Sequence, residues 1–118
     1  MANINWLQLT DRNQLEEIKA LSADVPCIIF KHSTRCSISA LAQNRLEGKW
    51  SFEDKALLPY FLDLIAYRQL SDSIAETFGV RHESPQLLLI QDGQCTYEAS
   101  HLDISVRELN TALGQKIT

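Results

Sequence analysis

Four glycines and three prolines are few for 118 residues. Neither they nor serine cluster into a flexible linker or a low-complexity tract, and no internal repeat is present. The expectation is a single domain over 1–118. Positive charge is also scarce, with eleven basic against fifteen acidic residues and a formal net charge of −4. That gives no basic face for nucleic acid. No apolar run approaches the roughly 20 residues that cross a bilayer. The start, Met1 to Trp6, lacks the basic-then-apolar order of a secretory signal. Cysteine is sparse and odd in number: Cys27, Cys36 and Cys95, widely spaced. The expectation is a reduced, cytoplasmic protein and not a disulfide scaffold, with neither nucleic acid nor membrane as partner.

What is present is ordinary globular material: 45% apolar and 22% charged residues. A chain of this length buries about 65% of its unfolded surface and folds without staples. Ile4 to Leu9 reads as an edge strand. Thr10 and Asp11 offer helix N-caps with Gln14 behind them, and Leu15, Ile18 and Leu21 follow at helical spacing. Cys27 to Lys31, apolar through Phe30, reads as a strand covered on both faces. Positions 38, 41, 42 and 46 form a helical stripe, with Gly48 as C-cap. Leu58 to Ile65 is a strand carrying Pro59 near its start. Tyr67 to Phe78 is a helix closed by Gly79. Gln86 to Gln91 is a strand, and Asp92-Gly93 signals a tight hairpin. In the returning strand Cys95, Tyr97 and Ala99 share one face, and Ser105 with Glu108 caps a last helix. The order β-α-β-α-β-α-β-β-α implies parallel βαβ units ending in an antiparallel hairpin. A mixed sheet with helices on both faces, the thioredoxin-like α/β arrangement, follows. A flavodoxin-like sheet is all-parallel and has no place for the hairpin.

Cys36 falls between a buried strand and the first turn of a helix. Unpaired N–H groups and the helix dipole stabilise a thiolate there. Lys31, His32 and Arg35 precede it, and no acidic residue occurs between 25 and 46. A free cysteine is often inert filler, but Ser33, Thr34, Arg35, Ser37 and Ser39 predict a polar, exposed loop around Cys36. Cys27 and Cys95 read as core residues, with Cys95 retained as a conceivable resolving thiol.

Three residues after Cys36 stands Ser39, where a C-x-x-C site holds its second cysteine. Serine cannot resolve a mixed disulfide, so the second thiol must come from another molecule. The chemistry expected is monothiol exchange. The loop Glu83-Ser84-Pro85-Gln86 before the Leu-rich strand is a candidate cis bond. In a thioredoxin-like sheet it faces the helix start, where the Ser84 backbone would pair with an extended substrate. Ser84, Pro85, Ser37, Ser39, Arg35 and His32 are therefore the candidate substrate-binding residues around catalytic Cys36. His32 tunes Cys36 through its protonation or is an end-of-strand surface residue. His82 touches substrate or is solvated. Asp63 reads better as a capping carboxylate than as a proton acceptor, and Trp6 and Trp50 better as packing.

The segment Phe30-Lys31-His32-Ser33-Thr34-Arg35-Cys36-Ser37-Ile38-Ser39 resembles the active-site signature of the monothiol bacilliredoxins, FKHST-x-CPIS, with Ser37 in place of the family's proline. Tyr67-Arg68, Ile74-Ala75, Gly79-Val80-Arg81-His82-Glu83-Ser84-Pro85-Gln86 and Ala99-Ser100-His101 extend the resemblance over about 28–113. It implies a thioredoxin fold, Cys36 as nucleophile, Pro85 as cis-proline and removal of bacillithiol caps from protein cysteines. No bound cofactor is implied. A low-molecular-weight thiol, bacillithiol, is the co-substrate, thiol-capped cytosolic proteins are the partners, and a monomer is expected. Two other readings stand beside it. One is an iron–sulfur carrier like the C-G-F-S monothiol glutaredoxins, although Ser37-Ile38 supplies neither Gly nor Phe. The other is a redox-silent module that uses only the fold.

Overall fold

The computed structural model describes residues 4–53 and 55–114. Five strands, β1 (Leu7–Gln8), β2 (Cys27–His32), β3 (Leu58–Asp63), β4 (Gln86–Gln91) and β5 (Gln94–Ser100), form one sheet in the order β1-β3-β2-β4-β5. Four helices, α1 (Asn13–Leu21), α2 (Ser37–Lys49), α3 (Arg68–Phe78) and α4 (Val106–Gly114), cover it, with a short 3-10 turn at His101–Asp103. The expected mixed α/β sheet is present.

Alternation along the strands sorts the core into two layers. Ile28 and Phe30 of β2 and Leu87 and Leu89 of β4 pack with Ala42 and Leu46 of α2 and with Val106 and Leu109 of α4. Cys27, Ile29, Leu88 and Ile90 face the other way, onto Leu15 and Ile18 of α1 and Leu70 and Ile74 of α3. Every residue of β2 and β4 is buried. Those two strands therefore read as continuous apolar runs with little alternation in the sequence.

Several boundaries and pairings differ from the sequence reading. Strand β1 keeps only Leu7–Gln8, because pairing with β3 is confined to Leu7 with Tyr60 and Gln8 with Phe61. Strand β3 ends at Asp63, where the carboxylate accepts the N–H groups of Ile65 at 3.0 Å and Ala66 at 3.3 Å and turns the chain. β4 runs antiparallel to β2 and not parallel as the βαβ rule predicted. The connection through α3 and the loop 79–85 begins and finishes at the same end of the sheet, since Asp63 pairs with His32 and Gln86 with Lys31.

Gly48 lies inside α2, and Trp50, with extended backbone, closes that helix. Gly79 is the left-handed C-cap of α3, with φ 64°. Asp92 and Gly93 have φ of 54° and 77°, the paired positive values of a tight hairpin turn. Their N–H groups donate to the Ser22 carbonyl at 2.9 Å and to Ser22 Oγ at 2.8 Å, pinning the turn to the end of α1. In α1 the Asp11 carboxylate accepts the Asn13 N–H, while Gln14 Oε1 accepts those of Thr10 and Asp11. Ser105 Oγ accepts the Glu108 N–H at 3.1 Å at the start of α4. Leu21, Ile38 and Leu41, expected on apolar faces, are exposed.

Candidate active site

The C-terminal ends of β2 and β3 and the start of β4 converge at one end of the sheet. Beyond β2 the chain turns through Ser33, Thr34 and Arg35, with the Cys36 N–H donating to the Ser33 carbonyl at 3.2 Å. Cys36 then caps α2 in extended conformation, with φ −114° and ψ 119°. Its carbonyl accepts the Ala40 N–H at 3.2 Å, but its side chain makes no capping bond. The thiol is free and partly exposed at the helix start. Thr34, Arg35 and Ser37 beside it are exposed.

Ser33 and Ser39 depart from the predicted exposed loop, for both are buried. Ser39 Oγ accepts the Ser33 N–H at 3.0 Å and lies 2.6 Å from His32 Nδ1. His32 is buried too, its ring against Phe30 and Phe61 at centroid distances of 5.9 and 5.3 Å. Burial holds the imidazole below its ordinary pKa, against the opposing pull of Asp63, a hydrogen bond to the Ser39 backbone and Glu47. Ser39 Oγ and His32 Nδ1 share one hydrogen bond, whose donor is set by the tautomer of the ring. Ser39 and His32 are thus buried and not part of an exposed loop. They form a buried brace under the Cys36 turn.

The expected collar of positive charge also shrinks. Lys31 points to the opposite layer, as alternation requires, and is fully buried. Its Nζ lies 3.3 Å from His82 Nδ1, which is itself 3.2 Å from the buried Ser71 Oγ. Burial pushes the Lys31 ammonium down to about 8, with Asp72 opposing. His82 is lowered as well, first by burial and then by Lys31. Arg35 remains the exposed cation beside Cys36. The Lys31–His82–Ser71 cluster escaped the sequence reading because a lysine after four apolar residues looks like a strand end reaching water.

The Ser84–Pro85 peptide bond is cis. The Pro85 carbonyl accepts the His101 N–H at 3.0 Å, and Gln86 is fixed by Nε2 donating to the Arg81 carbonyl and to Glu98, each at 3.0 Å. Ser84 Oγ is buried with no hydrogen-bond partner among the described residues. A buried hydroxyl without a partner is costly to keep.

The other cysteines lie elsewhere. Cys27 is fully buried, its thiol pushed up to about 11 by burial. A bulge in β5, where Leu89 pairs with Tyr97 but Ile90 with Cys95, turns Cys95 onto the layer opposite Tyr97 and Ala99. The shared face predicted for the three residues is therefore broken at Thr96. Ile90 pairs with both Cys27 and Cys95, which sets Cys95 level with the start of β2. Cys36 follows the other end of β2, about 17 Å away at the usual strand rise. No disulfide spans that distance, and Cys95 is not a resolving thiol for Cys36 within the chain. Trp6 and Trp50 pack as expected, with Trp6 Nε1 donating to Glu47 at 2.9 Å. Among the described residues no three His, Cys, Asp or Glu side chains converge as a metal site. No described helix is long and apolar enough to cross a membrane.

Solved structures share this arrangement. A protein described as an oxidoreductase with a thioredoxin fold is 30% identical, superposes with a TM-score of 0.77, and is covered over 91% of this chain and 92% of its own. The thioredoxin of Malassezia sympodialis matches at 16% identity over 98% of this chain and 93% of its own, with a TM-score of 0.71. Spinach chloroplast thioredoxin f, in its short form, matches at 15% identity over 91% and 88%, with a TM-score of 0.66. At such identities these two carry the fold alone. The family model for the monothiol bacilliredoxin BrxC matches residues 7–109, and with a partly exposed cysteine capping α2 of a thioredoxin-like sheet, this chain belongs to that family of thiol oxidoreductases.

Proposed function

We propose that the protein removes small-thiol caps, bacillithiol in the first instance, from protein cysteines by monothiol exchange at Cys36. The carrying observation is that the position three beyond Cys36 holds a buried serine committed to His32 and Ser33. The chemistry balances in two displacements. The Cys36 thiolate attacks the cap sulfur, forming a disulfide between Cys36 and the small thiol and expelling the client cysteine as thiolate. A second small-thiol thiolate then attacks the sulfur now held on Cys36. It leaves as the symmetrical disulfide and restores the Cys36 thiolate. Per cycle one client disulfide is reduced and one small-thiol disulfide is formed. Ser84 and Pro85 are assigned to hold the client backbone as an added strand, and Arg35 and Ser37 to line the approach. The reading places the protein in a reducing cytoplasm, acting as a monomer with the thiol pool as co-substrate.

Incubation with a bacillithiol-capped protein tests this. Cap release should require Cys36, be abolished in Cys36→Ser, and leave an intermediate whose added mass on Cys36 is that of the thiol. Undiminished release by Cys36→Ser would refute it.

A further inference from the structure

Arg45, Gly48 and Lys49 of α2 and Ser105, Val106 and Arg107 at the start of α4 line an open cavity of about 590 Å³. Three cationic side chains therefore meet in a chain whose formal net charge is −4. The cavity continues a ridge. Ile38, Leu41, Arg45 and Lys49 recur at three- and four-residue spacing, so they share one stripe of α2 that begins beside Cys36. Ile38 and Leu41 are 40% and 47% exposed, although both are apolar. Arg45 Nη1 donates to the Leu102 carbonyl at 3.0 Å, drawing in a third apolar side chain that is 59% exposed.

The one carboxylate of α2 is turned away from this stripe. Glu47 lies half a turn round α2 and accepts hydrogen bonds from Trp6 and Gln43.

We infer that this ridge docks an acidic segment of the client protein, apolar residues lying over Ile38, Leu41 and Leu102 and carboxylates entering the Arg45–Lys49–Arg107 cavity. The inference rests on the cap-removal reading and adds to it which clients are preferred. At 1.5 Å per residue, Arg45 and Lys49 lie about 13 and 20 Å along α2 from Cys36. An extended client covers that span in about 4–6 residues. Preferred clients thus carry Asp or Glu about 4–6 residues from the capped cysteine.

Two fluorescent peptides test it, both with serine in place of the cysteine so that no exchange occurs. One carries Glu-Glu five residues from that serine and its twin carries Gln-Gln. Anisotropy should show the acidic peptide binding more tightly, with an advantage that shrinks in high salt. Lys49→Glu with Arg107→Glu should weaken acidic-peptide binding roughly tenfold and leave the twin unchanged. Lys49→Gln with Arg107→Gln, checked by thermal unfolding, serves if the reversal disturbs folding, and should weaken binding in the same sense. Equal binding of the two peptides, or an unchanged Kd after charge removal, overturns the inference. Failed cap removal with acidic-peptide binding intact would instead overturn the proposed chemistry and leave the docking surface standing.

Discussion

Lys31 is fully buried, yet its ammonium is met by a histidine nitrogen and not by a carboxylate. Its pKa falls from 10.5 to about 8. Between those values the unfolded chain holds a proton that the folded chain has released, so stability rises with pH across that window. Below about 8 the full cost of burying the cation is present. Lys31→Met is expected to stabilise the protein by about 1–2 kcal/mol at pH 7. The advantage should fade by pH 10.5 in paired urea titrations, and equal stability at pH 7 would disprove the account. The three thiols also separate at this scale. Alkylation of the native protein near pH 7 should label Cys36, while Cys27, buried and raised to about 11, reacts only after unfolding. Quantitative native labelling of Cys27 would count against the structure. Cys36 was legible in the sequence because its neighbours are polar and a helix follows. The roles of His32 and Ser39 were not, since nothing in a one-dimensional string says that a polar side chain turns inward to meet another.

Helix α2 carries most of the site, and its ends were the hardest part to read. A glycine near the end of a periodic stretch looks like a C-cap, but this helix runs one residue beyond Gly48. A Cβ built at Gly48 meets nothing within 4 Å, and its backbone is not left-handed. Gly48→Ala should therefore raise stability by about 0.5–1 kcal/mol, read from chemical denaturation, and a loss would show that the helix ends earlier. Ser37 is the first residue of α2, where a missing N–H is tolerated. Ser37→Pro is accordingly expected to change stability by less than about 0.5 kcal/mol, and a large drop in thermal midpoint would contradict that placement. Ile38 and Leu41 show the limit of periodicity as a guide. The stripe through 38, 41, 42 and 46 is real, but only Ala42 and Leu46 of those four face the sheet. In β5 a single extra residue at Thr96 reversed the side on which Cys95 lies, and a bulge leaves no mark in an alternating pattern.

The whole sheet keeps its chemistry at one pole. Cys36, the Ser84–Pro85 bond and Asp63 gather where β2 and β3 end and β4 begins, while Cys27 and Cys95 occupy the opposite pole. Under a disulfide-forming oxidant without small thiols, the chain should form no internal bridge. The expected product is a reducible dimer joined through Cys36, absent in Cys36→Ser on non-reducing gels. An internal Cys36–Cys95 bridge found by peptide mapping would overturn the topology. Element order and the final hairpin were legible because Asp92-Gly93 and the apolar runs are local signals. The antiparallel placement of β4 was not, because the path of the loop 79–85 is decided by where α3 packs. The brace beneath Cys36 bears on how such sites diverge. Ser39 Oγ receives a backbone N–H and engages His32 Nδ1, two tasks that a larger, weakly hydrogen-bonding sulfur performs badly. A cysteine at 39 would therefore leave the Ser33 N–H and the His32 ring poorly partnered.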